Sequence, residues 1–220
     1  MPKSSPEPIV AEGAAGPDGG VVRARIVGEA RELFFRCGYR AFTMDDLAGE
    51  LGMSKKTLYV HFRSKDAMVQ AVLDGFAADV RATADALLAE PGMPFTEKLR
   101  RFASALIERL SRVTPAMLAD LQRFAPGLHR HVEQLRAKNI PYVFGRFIEE
   151  GQAQGEVRAD VNAAFAGEFY LHAMQGLMQP ATLQRLRMAP DQTLDKALRL
   201  FFGGLFTPPG LKAYEKLFPA

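Results

Sequence analysis

Tryptophan is missing from these 220 residues, and cysteine occurs once, at Cys37. A lone thiol cannot build an intrachain disulfide framework, and such usage suits a reducing compartment. No apolar run approaches the roughly 20 residues that a bilayer crossing needs, so no membrane partner is expected and cytoplasmic residence is. One-signed charge is scarce as well: 28 Lys and Arg against 25 Asp and Glu leave +3 at pH 7. The whole chain is no polycation, and any nucleic-acid site must be local. Residues 1–22 lack the charged head and apolar stretch of a secretory signal. Rich in Pro, Gly and Ala, they set Lys3 against Glu7, Glu12 and Asp18, which predicts a disordered arm rather than a basic tail.

What is present is a 48% hydrophobic, 24% charged chain, enough for one large or two small domains with a sizeable core. The periodicity is helical throughout, and no sheet is expected. Ile26, Ala30, Leu33, Phe34 and Cys37 fall on one helix face, which Gly38 should end. Ser64 can cap a long helix running to the Pro91-Gly92 break. Further helical segments are predicted near 95–112, 115–125, 128–152, 160–178 and 191–206, with a short one over 211–217. Pro141 should kink or restart its segment, having no amide hydrogen to donate. The fold class is therefore all-α: an N-terminal three-helix head over 23–70, then a helical second domain over 71–220.

Residues 43–65 carry the most specific pattern. Leu47, Ala48 and Leu51 share a face of one short helix, Gly52 permits the positive φ that ends it, and Ser54 can cap the next. The chain reverses within about four residues, as a helix-turn-helix requires. In the second helix Leu58 and Phe62 face inward, which turns Lys55, Lys56, Thr57, Tyr59 and His61 mostly outward. These are donors suited to phosphates and base edges. Between Arg23 and Val72 stand nine Lys and Arg against six Asp and Glu, with Lys55, Lys56, Arg63 and Lys65 close together. Thr43 is first a helix cap, with Asp46 three residues on, and a cap can still contact phosphate.

The run Phe34-Phe35-Arg36-Cys37-Gly38-Tyr39, then Thr43-Met44-Asp45-Asp46-Leu47-Ala48, then Lys56-Thr57-Leu58-Tyr59-Val60-His61-Phe62-Arg63-Ser64-Lys65, resembles the DNA-binding domain of the tetracycline-repressor (TetR) family. The stretch Glu150 to Asp160 is similar to the connection before the last two helices in many members. This resemblance implies a homodimeric transcriptional regulator, usually a repressor, with a ligand pocket in the second domain and dimer contacts on the last two long helices. It places Thr43, Lys55, Thr57, Tyr59, His61 and Lys65 at positions that commonly touch DNA. Lys56 matches a position that varies and helps set the operator sequence, and Val60 departs from the aromatic residue found there in several members.

In the second domain, Phe102, Leu106, Met117, Leu121, Phe124, Phe144 and Phe147 are candidate pocket walls, facing His172 and Gln175. His172 either orients a ligand or is a satisfied core histidine. Leu194, Ala197, Leu198, Phe201, Phe202 and Leu205 form a wide apolar stripe. With Ala163, Ala164, Ala166 and Gly167 permitting close helix approach, it is assigned to a four-helix dimer contact rather than to an internal face. Cys37 reads as a small hydrophobe. His129, His131 and Glu133 do not make a metal set, because His131 points away from the other two, and no cofactor is expected. No nucleophile and base stand at a persuasive spacing, which argues against an enzyme. The expected protein is a dimer on a short palindromic operator of double-stranded DNA, released when a small hydrophobic molecule displaces the helix starting near Ser64. The alternative is a DNA-binding regulator with no small-molecule ligand, controlled by abundance or by a protein partner.

Overall fold

The computed structural model describes residues 17–217. Eleven helices follow in chain order among the described residues, with no strand beyond an isolated bridge between Val157 and Phe206. They are α1 (Pro17–Ala41), α2 (Met44–Leu51), α3 (Lys55–His61), α4 (Lys65–Ala89), α5 (Phe95–Leu110), α6 (Pro115–Phe124), α7 (Pro126–Ala153), α8 (Ala163–Leu177), α9 (Pro180–Leu186), α10 (Pro190–Gly203) and α11 (Pro208–Leu217).

The arm expected over 1–22 lies outside the described residues up to 16, but 17–22 are helical, which corrects that part of the expectation. Val21 is 72% exposed, so packing does not hold this turn; adding residues to an existing helix costs far less than nucleating one. Gly38 interrupts α1 with φ 75 and ψ 175, a conformation that a side chain would strain. α7 runs unbroken through Pro141 instead of restarting there. Gly167 of α8 packs against it: a Cβ there would lie 3.1 Å from Pro141 Cα. Of the small residues expected at a dimer contact, Ala166 and Gly167 are thus buried against α7, whereas Ala163 is half-buried and Ala164 exposed. α9 has no counterpart among the predicted segments, since seven residues leave too few turns to register as a periodic face.

Two apolar clusters organise the chain. One joins α1 to α4 with Leu121, Ala125 and Leu128, so the core of the head continues into α6 and the start of α7. The other, built on Phe95, Phe102, Phe144, Phe147, Tyr170 and Phe202, holds the second domain together. α4 belongs to both, and the boundary read at residue 70 falls inside this one continuous helix.

Candidate DNA-binding face and internal cavity

Three side-chain caps and one glycine shape the head. Thr43 Oγ1 accepts from Asp46 N–H at 3.0 Å and donates to the Asp46 carboxylate at 2.6 Å, fixing the start of α2. Gly52, at φ 64, ends α2 in the left-handed region, and Met53 N–H closes the turn on Ala48 O at 3.1 Å. Ser54 Oγ then accepts from Thr57 N–H at 3.0 Å, and Ser64 Oγ from Ala67 N–H at 3.1 Å. Leu58 and Phe62 are buried, which leaves Lys55, Lys56, Thr57, Tyr59 and Val60 exposed along α3 and His61 half-buried.

These groups are not equally available. Lys55 Nζ stands 2.7 Å from Asp45 Oδ1 on α2, and that hydrogen-bonded pairing raises its pKa. Thr57 Oγ1 lies 2.8 Å from Ser54 Oγ. Lys65, at the first turn of α4, is half-buried, its Nζ 4.3 Å above the Tyr39 ring and 3.4 Å from Arg40 O. Burial lowers the Lys65 pKa. Tyr39 donates to Asp66 Oδ1 at 2.7 Å, and burial together with that carboxylate pushes its hydroxyl up to about 12. Lys56 and Arg63 extend the exposed basic surface. Arg23, 4.7 Å over the Phe62 ring, and Arg36, paired with Glu50, brace α1 against the helix-turn-helix.

Beneath the head lies a cavity of about 190 Å³. Five of the seven predicted walls line it: Phe102, Leu106, Met117, Leu121 and Phe144. Phe147 is instead packed behind them, its ring 5.0 Å from Phe102 and 6.3 Å from Phe95. Phe124 is 43% exposed, with Arg40 4.8 Å and Arg123 5.2 Å from its ring. His172 and Gln175 are corrected as well. The His172 side chain is 72% exposed, its Nδ1 3.2 Å from Gln175 Oε1, and neither residue lines the cavity. α8 buries Ala166, Gly167, Tyr170, Leu171 and Met174, which rotates Phe165, Phe169 and His172 to the outside.

The stripe on α10 also turns inward. Leu194, Leu198, Phe201 and Phe202 are buried within the chain, Ala197 and Leu205 pack against them, and Leu194 reaches the cavity wall. Its assignment to a dimer contact over an internal face is therefore overturned for Leu194, Leu198, Phe201 and Phe202. The apolar groups left outside on this side are Phe165, Phe169 and Leu200, at 71%, 60% and 83% exposure.

Sequence reading missed the polar part of the cavity wall: Arg136, Asn139 and Tyr170. A signal existed, because Arg136 and Asn139 interrupt the face Val132, Leu135, Ile140 and Val143 at helical spacing. Walls also come from Phe34 and Phe35 of α1 and from Leu73, Phe76 and Val80 of α4. His131 Nε2 sits 2.6 Å from Asp74 Oδ1, and Asn139 Nδ2 donates to Ala77 O at 2.9 Å, so α7 is fastened to α4 beside the cavity. Among the described residues no three His, Cys, Asp or Glu side chains stand together to hold a metal, and no helix is long and apolar enough to cross a membrane.

Residues 26–72 match the family described as bacterial regulatory proteins, tetR family. The chain is 28% identical over 175 residues to the HTH-type transcriptional repressor DhaR of Mycobacterium sp. (strain GP1), covering 79% of this chain and 88% of that one. It is 24% identical over 191 residues to the HTH-type transcriptional regulator UidR of Escherichia coli (strain K12), covering 84% and 93%. The fold is shared with a TetR-family transcriptional regulator from Agrobacterium tumefaciens, at TM-score 0.61 and 20% identity over 86% of this chain and 99% of that one.

Proposed function

We propose that this chain, whose residues 26–72 match the tetR family of bacterial regulatory proteins, is a DNA-binding transcriptional regulator of that family: a cytoplasmic homodimeric repressor, released from a palindromic operator by a small hydrophobic molecule. The observation that carries the ligand-responsive part is the shared wall. α4 starts against the recognition helix at Ser64, and its Leu73, Phe76 and Val80 line the cavity, so anything that fills the space bears on the strut holding the head. Phe34 and Phe35 of α1 give a second direct contact between cavity and head. Two recognition helices enter successive major grooves only at a separation of about 34–36 Å, and a tilt of α4 changes that separation. A coupling of about 1–3 kcal/mol would lower DNA affinity roughly 5- to 150-fold. The word repressor in the name of DhaR supports that sign of regulation.

The dimer contact is assigned to the outer faces of α8 and α10, where Phe165, Phe169 and Leu200 leave apolar area exposed. DNA contact is assigned to Thr43, Lys55, Lys56, Thr57, Tyr59, His61 and Lys65, with two different tasks. Lys56 is exposed on the recognition helix, whereas Lys65 stands at the start of α4 on a carbonyl and a ring. Selection of bound duplexes from a random pool, followed by titration of the selected operator, tests the reading. Lys56→Ala is expected to change the selected bases, since a base-edge contact discriminates by about 1–3 kcal/mol. Lys65→Ala is expected to weaken all sequences alike and to reduce the salt slope by about 0.9, the share of one phosphate contact. An unchanged motif with Lys56→Ala removes that residue from base reading. A screen of lipophilic compounds that shifts neither the melting temperature nor operator affinity would leave a regulator controlled by abundance or a protein partner.

A further inference from the structure

The polar atoms of the cavity wall are few, and they differ in what they still need. Tyr170 is clamped by rings, stacked on Phe144 with centroids 4.1 Å apart and packed on Phe201 at 4.8 Å. Its hydroxyl is buried there with no hydrogen-bond partner. An orphan buried hydroxyl costs free energy that a phenylalanine would not, so a group retained in this state calls for a partner that arrives later. Burial alone pushes its pKa well above the ordinary tyrosine value, which keeps it a neutral O–H donor. Asn139 gives one amide N–H to Ala77 O and keeps its second N–H and its Oδ1. Arg136 is the one charged residue in the wall, and its Nη1 donates to Glu133 Oε1 at 2.7 Å, so its charge is met within α7. The Arg136 side chain keeps 22% of its surface accessible.

Charge and size then narrow the occupant. An entering carboxylate would lose its water next to a guanidinium that already has a counter-ion, and the desolvation cost would not be recovered. A pure hydrocarbon would leave the Tyr170 hydroxyl as it is. The space of about 190 Å³ is somewhat larger than an engineered cavity of about 150 Å³ that takes benzene. We propose that the ligand is an uncharged carbonyl compound, a ketone, ester or lactone of about ten non-hydrogen atoms, whose oxygen accepts a hydrogen bond from Tyr170 and whose apolar body fills the remaining walls. This rests on the reading of the cavity as the effector site. The donors offered by Tyr170 and Arg136 select an acceptor, while Phe102, Leu106, Met117 and Met174 supply contact area without further polar demand.

Propiophenone, hydrocinnamate and propylbenzene share a phenyl ring with a three-carbon chain and differ in being a ketone, an anion and a hydrocarbon. Calorimetric titration of each into the full chain is expected to rank propiophenone first. Tyr170→Phe removes only an unpaired hydroxyl, so it should melt no lower than the unmodified protein. It should lose roughly tenfold in propiophenone affinity, about what one hydrogen bond contributes, with less than a twofold change for propylbenzene. Hydrocinnamate binding tightest, an equal loss for ketone and hydrocarbon, or no binding by any of the three overturns the proposal. Anisotropy of a pool-selected operator duplex separates this from the effector reading: propiophenone that binds through Tyr170 without changing operator affinity supports the ligand chemistry and sinks the effector role.

Discussion

Phe202→Asp is expected to produce a second domain that does not fold, not a folded monomer. Phe202 is 1% exposed, and its ring lies 5.2 Å from that of Phe201, 5.8 Å from Phe144, 6.2 Å from Phe206 and 6.3 Å from Phe95. Deleting such a ring costs about 3–5 kcal/mol, and burying an unpaired carboxylate in its place adds several more. A natural domain has only about 5–15 kcal/mol to lose. Phe165→Asp supplies the contrast, because that side chain is 71% exposed and its removal opens no cavity. This variant should stay folded and unfold cooperatively as a monomer, its melting temperature lower only by what dimerisation contributes. Circular dichroism melts and light scattering on both variants decide the matter. A cooperative, monomeric Phe202→Asp protein would return the α10 stripe to the interface between copies.

The contrast between those two residues shows where a sequence is readable. In the head, the signals are local: Thr43, Ser54 and Ser64 cap helices within three residues of themselves, and Gly52 supplies a positive φ that its neighbours could not adopt. Such features need no knowledge of what lies across the fold. α8 and α10 pose a different problem, since a wide apolar stripe looks alike whether it is covered by the same chain or by a second copy. The exposed Phe165 and Phe169 and the buried Tyr170 and Met174 share one helix, and only the packing of α8 on α7 tells which side is inside. The same ambiguity places His172 in the pocket when the sequence alone is read. Residues near the cavity were also easier to find when apolar: Arg136 and Asn139 look like solvent groups until the opposing walls are in place.

The connection from Glu150 to Asp160, which the sequence marks only by family likeness, yields the second large effect. Lys98 is buried on α5, its side chain 4% exposed, with Nζ donating to Glu150 Oε1 at 2.6 Å and to Leu88 O at 3.0 Å. Around it, Gln154 accepts from Phe95 N–H at 2.8 Å, and Gln152 donates to the carbonyls of Arg158 and Val161 at 3.0 and 2.8 Å. Gly151 leaves room that a side chain would deny, since its Cβ would stand 2.5 Å from Val157 Cγ2 and 3.0 Å from the Phe95 ring. Glu150→Ala is expected to cost about 3 kcal/mol, because it leaves a buried ammonium without its counter-charge. For a domain of this size that lowers the melting temperature by roughly 6–12 °C. Lys98→Met should cost less, as the Glu150 carboxylate it strands is 28% exposed and can draw in water. The hydrogen bond from Lys98 holds the Glu150 pKa below the usual carboxylate value. Stabilisation from a depressed carboxylate is complete above its unfolded pKa of about 4.3 and is lost as pH falls through the lower native value. The gap in melting temperature between the unmodified protein and Glu150→Ala should therefore be constant near neutrality and narrow in acid below about pH 4. A gap that held steady into acid, or a larger loss from Lys98→Met than from Glu150→Ala, would show that the charge of Glu150 is not what secures this corner.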